Sequence, residues 1–300
     1  TLTESGSRTF YGNYNFLVTA AKDFGAHSLK LILGIERNTY DYKYLKAYRE
    51  VFDYPQYDQI TAGGLANLTN DGYRYQWALQ SYFGRIGYSY DDKYYVEFTA
   101  RYDMSSKFLK VRNGGFFPAV SVGWRLSQEG FMGDYRNKVG DLKFRASYGV
   151  NGNQQDVGLY DFMTTYGIWT NAYGFNGSSV PGLMFTMGNE ALTWERSKTF
   201  NIGLDASFFA NRLNVSFDYF YKRTSDILLP AIVPGVFGAS IAKENRGVMD
   251  NQGWEVTLNY NLVRGSWDHK FSLNIADSKN EVVTYGTPKI SSNDGVTVLI

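Results

Sequence analysis

The stretch from Ser81 to Arg125, SYFGRIGYSYDDKYYVEFTARYDMSSKFLKVRNGGFFPAVSVGWR, constrains the fold more than any other part of the chain. Its residues alternate. Tyr82, Ile86, Tyr88 and Tyr90 fall on one face, and Arg85, Gly87 and Ser89 on the other. Beyond Asp91-Asp92, Tyr94, Val96, Phe98, Ala100 and Tyr102 continue the apolar face, while Tyr95, Glu97, Thr99, Arg101 and Asp103 form the polar one. A period of two means strands whose two faces meet different surroundings, and the tight turn pairs them as a hairpin. After a loop from Met104 to Gly115, Val120, Val122 and Trp124 alternate with Ala119, Ser121, Gly123 and Arg125. Two architectures satisfy the pattern. A soluble sandwich points its apolar face into a core, whereas a membrane barrel points it at lipid around a polar lumen. Tyr88, Tyr90, Tyr94 and Tyr95 crowd the turn end, as an interfacial girdle would, and equally as cross-strand pairs of a soluble sheet would.

The same period recurs along the chain. Tyr14, Phe16 and Val18 share a face, as do Leu29, Leu31, Leu33 and Ile35, and then Leu142, Phe144, Ala146 and Tyr148. Phe200 to Phe208 and Leu213 to Tyr221 repeat it around a turn at Ala210–Arg212. Trp254 to Leu262 and Phe271 to Ile275 close the series around a turn at Arg264–Asp268. This predicts about ten strands. Their connections alternate between short (Lys22–Ala26, Asp91–Asp92, Ser127–Gly140, Ala210–Arg212, Arg264–Asp268) and long, irregular ones (Asn38–Arg74, Met104–Gly115, Asn151–Thr193, Thr224–Asn251). Up-and-down membrane barrels sort their loops in this way, while a Greek-key sandwich has no reason to. Ten residues at about 3.3 Å each, tilted about 45°, rise about 23 Å, close to the apolar band of an outer-membrane barrel. The polar faces carry Arg85, Glu97, Arg101, Arg125, Lys143, Arg145, Asp205, Asp218, Glu255 and Lys270, which no packed soluble core could bury. The expected fold is therefore all-β, an antiparallel up-and-down transmembrane β-barrel, with the charged residues facing its lumen.

Composition narrows the function. With 25 Tyr, 21 Phe and only 6 Pro in 300 residues, the chain leans to β structure. A net charge of +1 implies no nucleic-acid partner. The absence of cysteine excludes a disulfide scaffold, thiol catalysis and zinc–cysteine sites. No stretch reaches the roughly 18 apolar residues of a membrane helix. No signal peptide opens the chain at Thr1, and the abrupt ends point to a fragment or processed piece. No GxSxG elbow or phosphate-cradling glycine loop is present. His27 and His269, the only histidines, each lie beside a predicted turn and read as surface residues. Asn67-Leu68-Thr69 matches a glycosylation sequon, a triplet that also arises by chance.

Several runs resemble the SusC-type (SusC/RagA) TonB-dependent outer-membrane transporters. They are SYFGRIGYSYDDKYYVEFTARYDMSSKF with GGFFPAVSVGWRLSQEGF, LKFRASYGVNGNQ (Leu142–Gln154), LTWERSKTFNIGLDASFFANRLNVSFDYFYKRTSDILL (Leu192–Leu229) and NRGVMDNQGWEVTLNY (Asn245–Tyr260). The resemblance covers most of the chain from Tyr82 to about Asn280. It implies a plugged barrel of about 22 strands, of which residues 1–300 form one part. The plug domain, the TonB box and the closing strands would lie outside this chain. It also implies short turns in the periplasm and long loops outside, TonB-dependent import of oligosaccharides or peptides, and a SusD-like surface lipoprotein as partner; the motifs themselves give no cofactor, metal or catalytic set. Tyr160, Phe162, Tyr166, Trp169, Tyr173 and Phe175 cluster in one expected outer loop. Their rings are candidate contacts for the ligand or the partner, and equally for packing that loop against its neighbours. An outer-membrane barrel enzyme and a soluble β-rich glycan-binding or adhesive module are the competing classes.

Overall fold

The computed structural model describes residues 1–54, 56–133, 140–209, 211–231, 235–264 and 266–285. Among the described residues, thirteen strands follow in chain order: β1 (Leu2–Phe24), β2 (His27–Arg49), β3 (Thr69–Tyr90), β4 (Tyr94–Ser105), β5 (Gly114–Arg125), β6 (Leu142–Asn153), β7 (Thr165–Phe175), β8 (Ser178–Met187), β9 (Glu195–Phe208), β10 (Leu213–Leu229), β11 (Ser240–Ile241), β12 (Glu244–Arg264) and β13 (Trp267–Thr284). Ten form one sheet in the order β1-β2-β3-β4-β5-β6-β9-β10-β12-β13, and each pair is antiparallel. This is an up-and-down meander, and its ten strands are the ten expected from the alternation.

The register puts every apolar set on one side. Ile35 faces Tyr82, Tyr82 faces Tyr102 and Tyr102 faces Phe116, while Phe144 faces Leu204 and Leu204 faces Phe217. Burial is inverted relative to a soluble sheet. On the apolar side Phe16 is 67% exposed and Val96 45%, while Ser81, Asn38 and Asp103 on the opposite side are buried. An apolar surface left open beside a half-buried polar one costs too much in water and is stable only where lipid covers it. A lower girdle runs through Tyr88, Tyr90, Tyr94 and Trp124, and an upper one through Tyr82, Tyr102 and Phe116. Above the upper girdle the outward face turns polar. Arg74 pairs there with Asp41 (2.6 Å), and Arg223 with Asp250 (2.7 Å).

The structure revises three sequence expectations. First, about half of Asn38–Arg74 and more than half of Thr224–Asn251 is strand, since β2 and β3 are 23 and 22 residues long with 50–68 connecting them, and β10 and β12 reach Leu229 and Glu244. At about 3.3 Å per residue and about 45° tilt, β1 to β3 rise about 50 Å, some 25 Å beyond the apolar band. Second, Asn151–Thr193 is not irregular. It holds the β7–β8 hairpin, to which β11 adds in parallel at Thr186–Met187. Third, loop length does not sort the rims cleanly, because the lower connection 126–141 exceeds the upper connection 106–113. The lower one contains two 3₁₀ turns, Leu126–Gln128 and Gly130–Met132, and residues 134–139 lie outside the described residues.

A conventional core exists in one place, at the upper end of β5, β9 and β10. Phe108, Phe117, Val157, Leu192, Trp194 and Leu228 are buried together there, and Trp194 Nε1 donates to the Asn113 carbonyl (3.2 Å). The Phe117 ring lies flat against Gly152, where a Cβ would come within 2.0 Å of it. That close approach is why the β6 end reads Asn-Gly-Asn. The cluster ties 106–113 and 154–194 to the strands beneath.

Candidate functional site

All ten charged residues expected to face the lumen lie on one face, Lys270 through its place opposite Asn261. Register settles this: Glu97 is opposite Ser121, Lys143 is opposite both Arg125 and Asp205, and Asp218 is opposite Glu255. The chain of pairings extends through Arg85 and Arg101 on β3 and β4. What the sequence list of charges did not reveal is how they pair. Arg85 bonds Glu97. Arg101 reaches Asp103 (2.7 Å), Glu36 (3.0 Å) and Ser81 Oγ (2.7 Å). Glu36 also accepts from Asn38 (2.9 Å) and Asn13 (3.1 Å), so the network spans β1 to β4. Arg125 holds Asp141, which accepts from Ser127 as well.

A second network spans β6, β9 and β10. Arg145 forks onto Asp205 (2.6 Å) and reaches Asp218 (3.0 Å), and Ser216 donates to Asp205 (2.8 Å). Gly203 makes room for it, since a Cβ there would sit 2.6 Å from Asp218 Oδ1 and 2.8 Å from Arg145 Cζ. Lys143 stands over the Tyr95 ring at 4.7 Å, a cation–π contact. Glu255 accepts from Asn274 (2.8 Å). Between the networks lies an open hollow of about 400 Å³ bordered by Lys30, Glu97, Ser121, Lys143, Arg145 and Asn201. Glu36, Asp103, Asp141 and Ser216 were missed as site residues, although their odd or even position already placed Glu36 and Asp103 on the polar face.

Arg85, Arg101, Arg125 and Arg145 are held by carboxylates and Lys143 stands on a ring, and among the described residues no group of three His, Asp or Glu could hold a metal. His27 belongs to the lower girdle, with Nδ1 2.7 Å from the Tyr88 hydroxyl and its ring stacked on Phe24 (5.2 Å). His269 lies between Trp267 and Phe271. The Asn67 side chain donates to Glu50 (3.1 Å) and its backbone is left-handed (φ 55°), which gives the sequon position a structural purpose.

The six outer-loop aromatics divide. Tyr160 and Phe162 precede the hairpin, Tyr166, Trp169 and Phe175 lie on β7, and the Tyr173 side chain lies outside the described residues. They do not form one pocket. Tyr166 is 71% exposed and Trp169 56%, and Tyr166 meets only Phe185 of β8 (6.3 Å). Ile168 and Leu183 are exposed beside them. The hairpin therefore presents apolar surface instead of filling a core with it. At its base Lys107 donates to the Gln154 carbonyl (3.3 Å), and burial pushes its ammonium below the usual lysine range.

Comparison with known proteins agrees with this geometry. The family model "TonB dependent receptor-like, beta-barrel" matches residues 2–296. TonB-dependent receptor P3 of Formosa agariphila is 33% identical over 92% of this chain, which covers 27% of that protein. TonB-dependent receptor SusC of Bacteroides thetaiotaomicron is 30% identical over 90% of this chain and is covered to 27%. Among solved structures, the RagAB peptide importer superposes with a TM-score of 0.86 at 23% identity over 99% of this chain, a likeness of fold. The chain thus spans about a quarter of the length of these curated relatives.

Proposed function

Because the chain belongs to the TonB-dependent receptor β-barrel family, we propose that the protein it forms part of imports a nutrient too large for simple pores across the bacterial outer membrane. The carrying observation is the wall itself: an apolar band outward, and inward a row of ion pairs. In this reading residues 1–300 are one part of a single barrel domain. A plug and a TonB box elsewhere in the protein couple import to the inner membrane. The cargo is an oligosaccharide or a peptide, and a SusD-like lipoprotein closes over the outer mouth. Similarity to SusC supports the pairing with a lipoprotein, and the fold shared with the RagAB peptide importer is compatible with it. The exposed β7–β8 hairpin supplies contact for cargo or lipoprotein through Tyr166, Trp169 and Phe175, with Tyr160, Phe162 and Tyr173 as further candidates.

The test is growth of a deletion strain on single glycans and on peptide mixtures, with complementation by the full-length gene. Loss of growth on one class, restored by the gene, is expected. Unimpaired growth on every source would refute import.

A further inference from the structure

The tall β2–β3 hairpin carries more structure than a loop support needs. Six rings file up its inward face: Tyr44 leans tilted on Tyr73 (5.2 Å), while Tyr42 stacks on Tyr75 (4.9 Å) and Tyr40 on Trp77 (5.7 Å). The rings use their faces on one another, so the file is a stiffener and not a sugar platform. It holds upright a strand edge with no neighbour. β4 pairs with β3 only from Leu79 to Tyr90, and Thr69–Trp77 pairs with β2 alone. The direction of that edge is legible. Ala78 gives both its backbone groups to Ser106 on the β4 side, so Gln76, Arg74 and Gly72 aim theirs the same way. Gly72 N–H has already turned to the Asp71 carboxylate (2.8 Å) for want of a strand.

Above the edge sits an apolar crown. Val51, Tyr54, Tyr57, Leu65 and Leu68 are exposed on the connection 50–68. The crown is fixed in shape by Arg49 on the carbonyls of Thr61 (3.2 Å) and Gly63 (3.1 Å), and by Tyr48 (2.5 Å) and Asn67 (3.1 Å) on Glu50. Exposed apolar residues gathered on one connection mark an interaction surface, and a free backbone edge is complementary to an extended polypeptide strand.

We propose that the β2–β3 hairpin is a docking mast for the capping lipoprotein, whose surface packs on the crown and adds one strand to the Gly72–Gln76 edge of β3. The inference rests on the lipoprotein-capped reading above. The lipoprotein fits better than the cargo, because crown and edge together exceed what a small ligand covers. The edge stands about 15–25 Å above the upper girdle and the crown about 30 Å above it, away from the lumen wall.

The experiment uses the full-length importer purified with its lipoprotein. Gln76→Pro removes an edge N–H without touching the β2 ladder, the position at which a strand tolerates proline. It is expected to weaken lipoprotein binding tenfold or more, while Gln76→Ala leaves it near wild type. Leu65→Glu in the crown is expected to weaken it as well. In the wild type, hydrogen exchange of 70–77 is expected to slow at least tenfold when lipoprotein is added, with 42–48 unchanged, and this readout needs no variant. Binding unchanged by Gln76→Pro, exchange at 70–77 already slow without lipoprotein, or loss of cargo uptake with full lipoprotein recovery would each overturn the mast. If the wild-type importer retains no lipoprotein at all, the capped reading fails first.

Discussion

Place an arginine at Val120. The residue lies on the apolar face of β5, opposite Phe98 on one side and Tyr148 on the other. Along the strand it is midway between Trp124 of the lower girdle and Phe116 of the upper one. Four residues at about 3.3 Å put it about 13 Å along the strand from each girdle, which at the tilt of a barrel is about 10 Å of depth. That is the middle of the bilayer, where an arginine on the lipid face of a barrel costs about 2–4 kcal/mol, against about 0–1 near the interfaces. The neighbour Ser121 is the control. Its side chain points the other way, directly opposite Glu97, so an arginine there gains a carboxylate partner. In the full-length protein, Val120→Arg is expected to lower the folded-to-unfolded ratio tens- to hundreds-fold and to cut the assembled fraction in the outer membrane. Ser121→Arg should change either by less than about threefold. The assays are heat-modifiable mobility and the urea midpoint in lipid. Equal loss at both positions, or greater loss at Ser121, would refute the assignment of faces.

Four further outcomes are expected. Gly203→Ala drives a methyl into the Arg145–Asp218 contact and should cost about 1–2 kcal/mol of barrel stability, read as a lower urea midpoint, whereas Gly6→Ala, in open space, should cost less than about 1. Removing the whole β7–β8 hairpin, Thr165–Met187, should leave the barrel assembled but reduce cargo uptake or lipoprotein recovery, and wild-type values for both would leave the hairpin without a role. Asp250 is held at about 2, chiefly by the hydrogen bond from Arg223. Its folded value lies below the usual carboxylate range, so its contribution is full above about pH 4 and lost only as pH falls through about 2. Proteolysis of the β10–β12 extension should therefore be unchanged between pH 7 and 5, and loosening at pH 5 would contradict the pairing. Residues 1–300 expressed alone, with two open edges and a bare apolar face, should aggregate or require detergent, and a monodisperse monomer with a cooperative melt in plain buffer would argue for a soluble module.

The ten wall strands were legible because lipid on one side and polar contacts on the other impose a strict period of two. That signal fades where the membrane ends. Above Ile35 the outward face of β2 reads Arg37, Thr39, Asp41 and Lys43, and its inward face Asn38, Tyr40, Tyr42 and Tyr44. Both faces are then polar or amphipathic, so the alternation vanishes although the ladder continues for another fourteen residues to Arg49. The β7–β8 hairpin was hidden for the same reason, since neither of its faces is buried. The charged face was readable as a set, but its pairing was not. Arg101 to Glu36 joins residues 65 apart, and only the order of strands in the sheet brings them together. The loop core of Phe108, Leu192 and Trp194 left no periodic trace, because it is gathered from three separate connections and strand ends.

The most direct test of the two-faced wall is a spin-label scan of β4. Residues 94 to 102 are replaced one at a time by labelled cysteine, in a segment that has no cysteine of its own, within the full-length protein in liposomes. Labels at Tyr94, Val96, Phe98, Ala100 and Tyr102 are expected to be relaxed by oxygen dissolved in the lipid, most strongly at Phe98. Labels at Tyr95, Glu97, Thr99 and Arg101 should respond to a water-soluble nickel reagent, or to neither probe where the interior is packed. The opposite parity, or no alternation across the nine positions, would contradict the account.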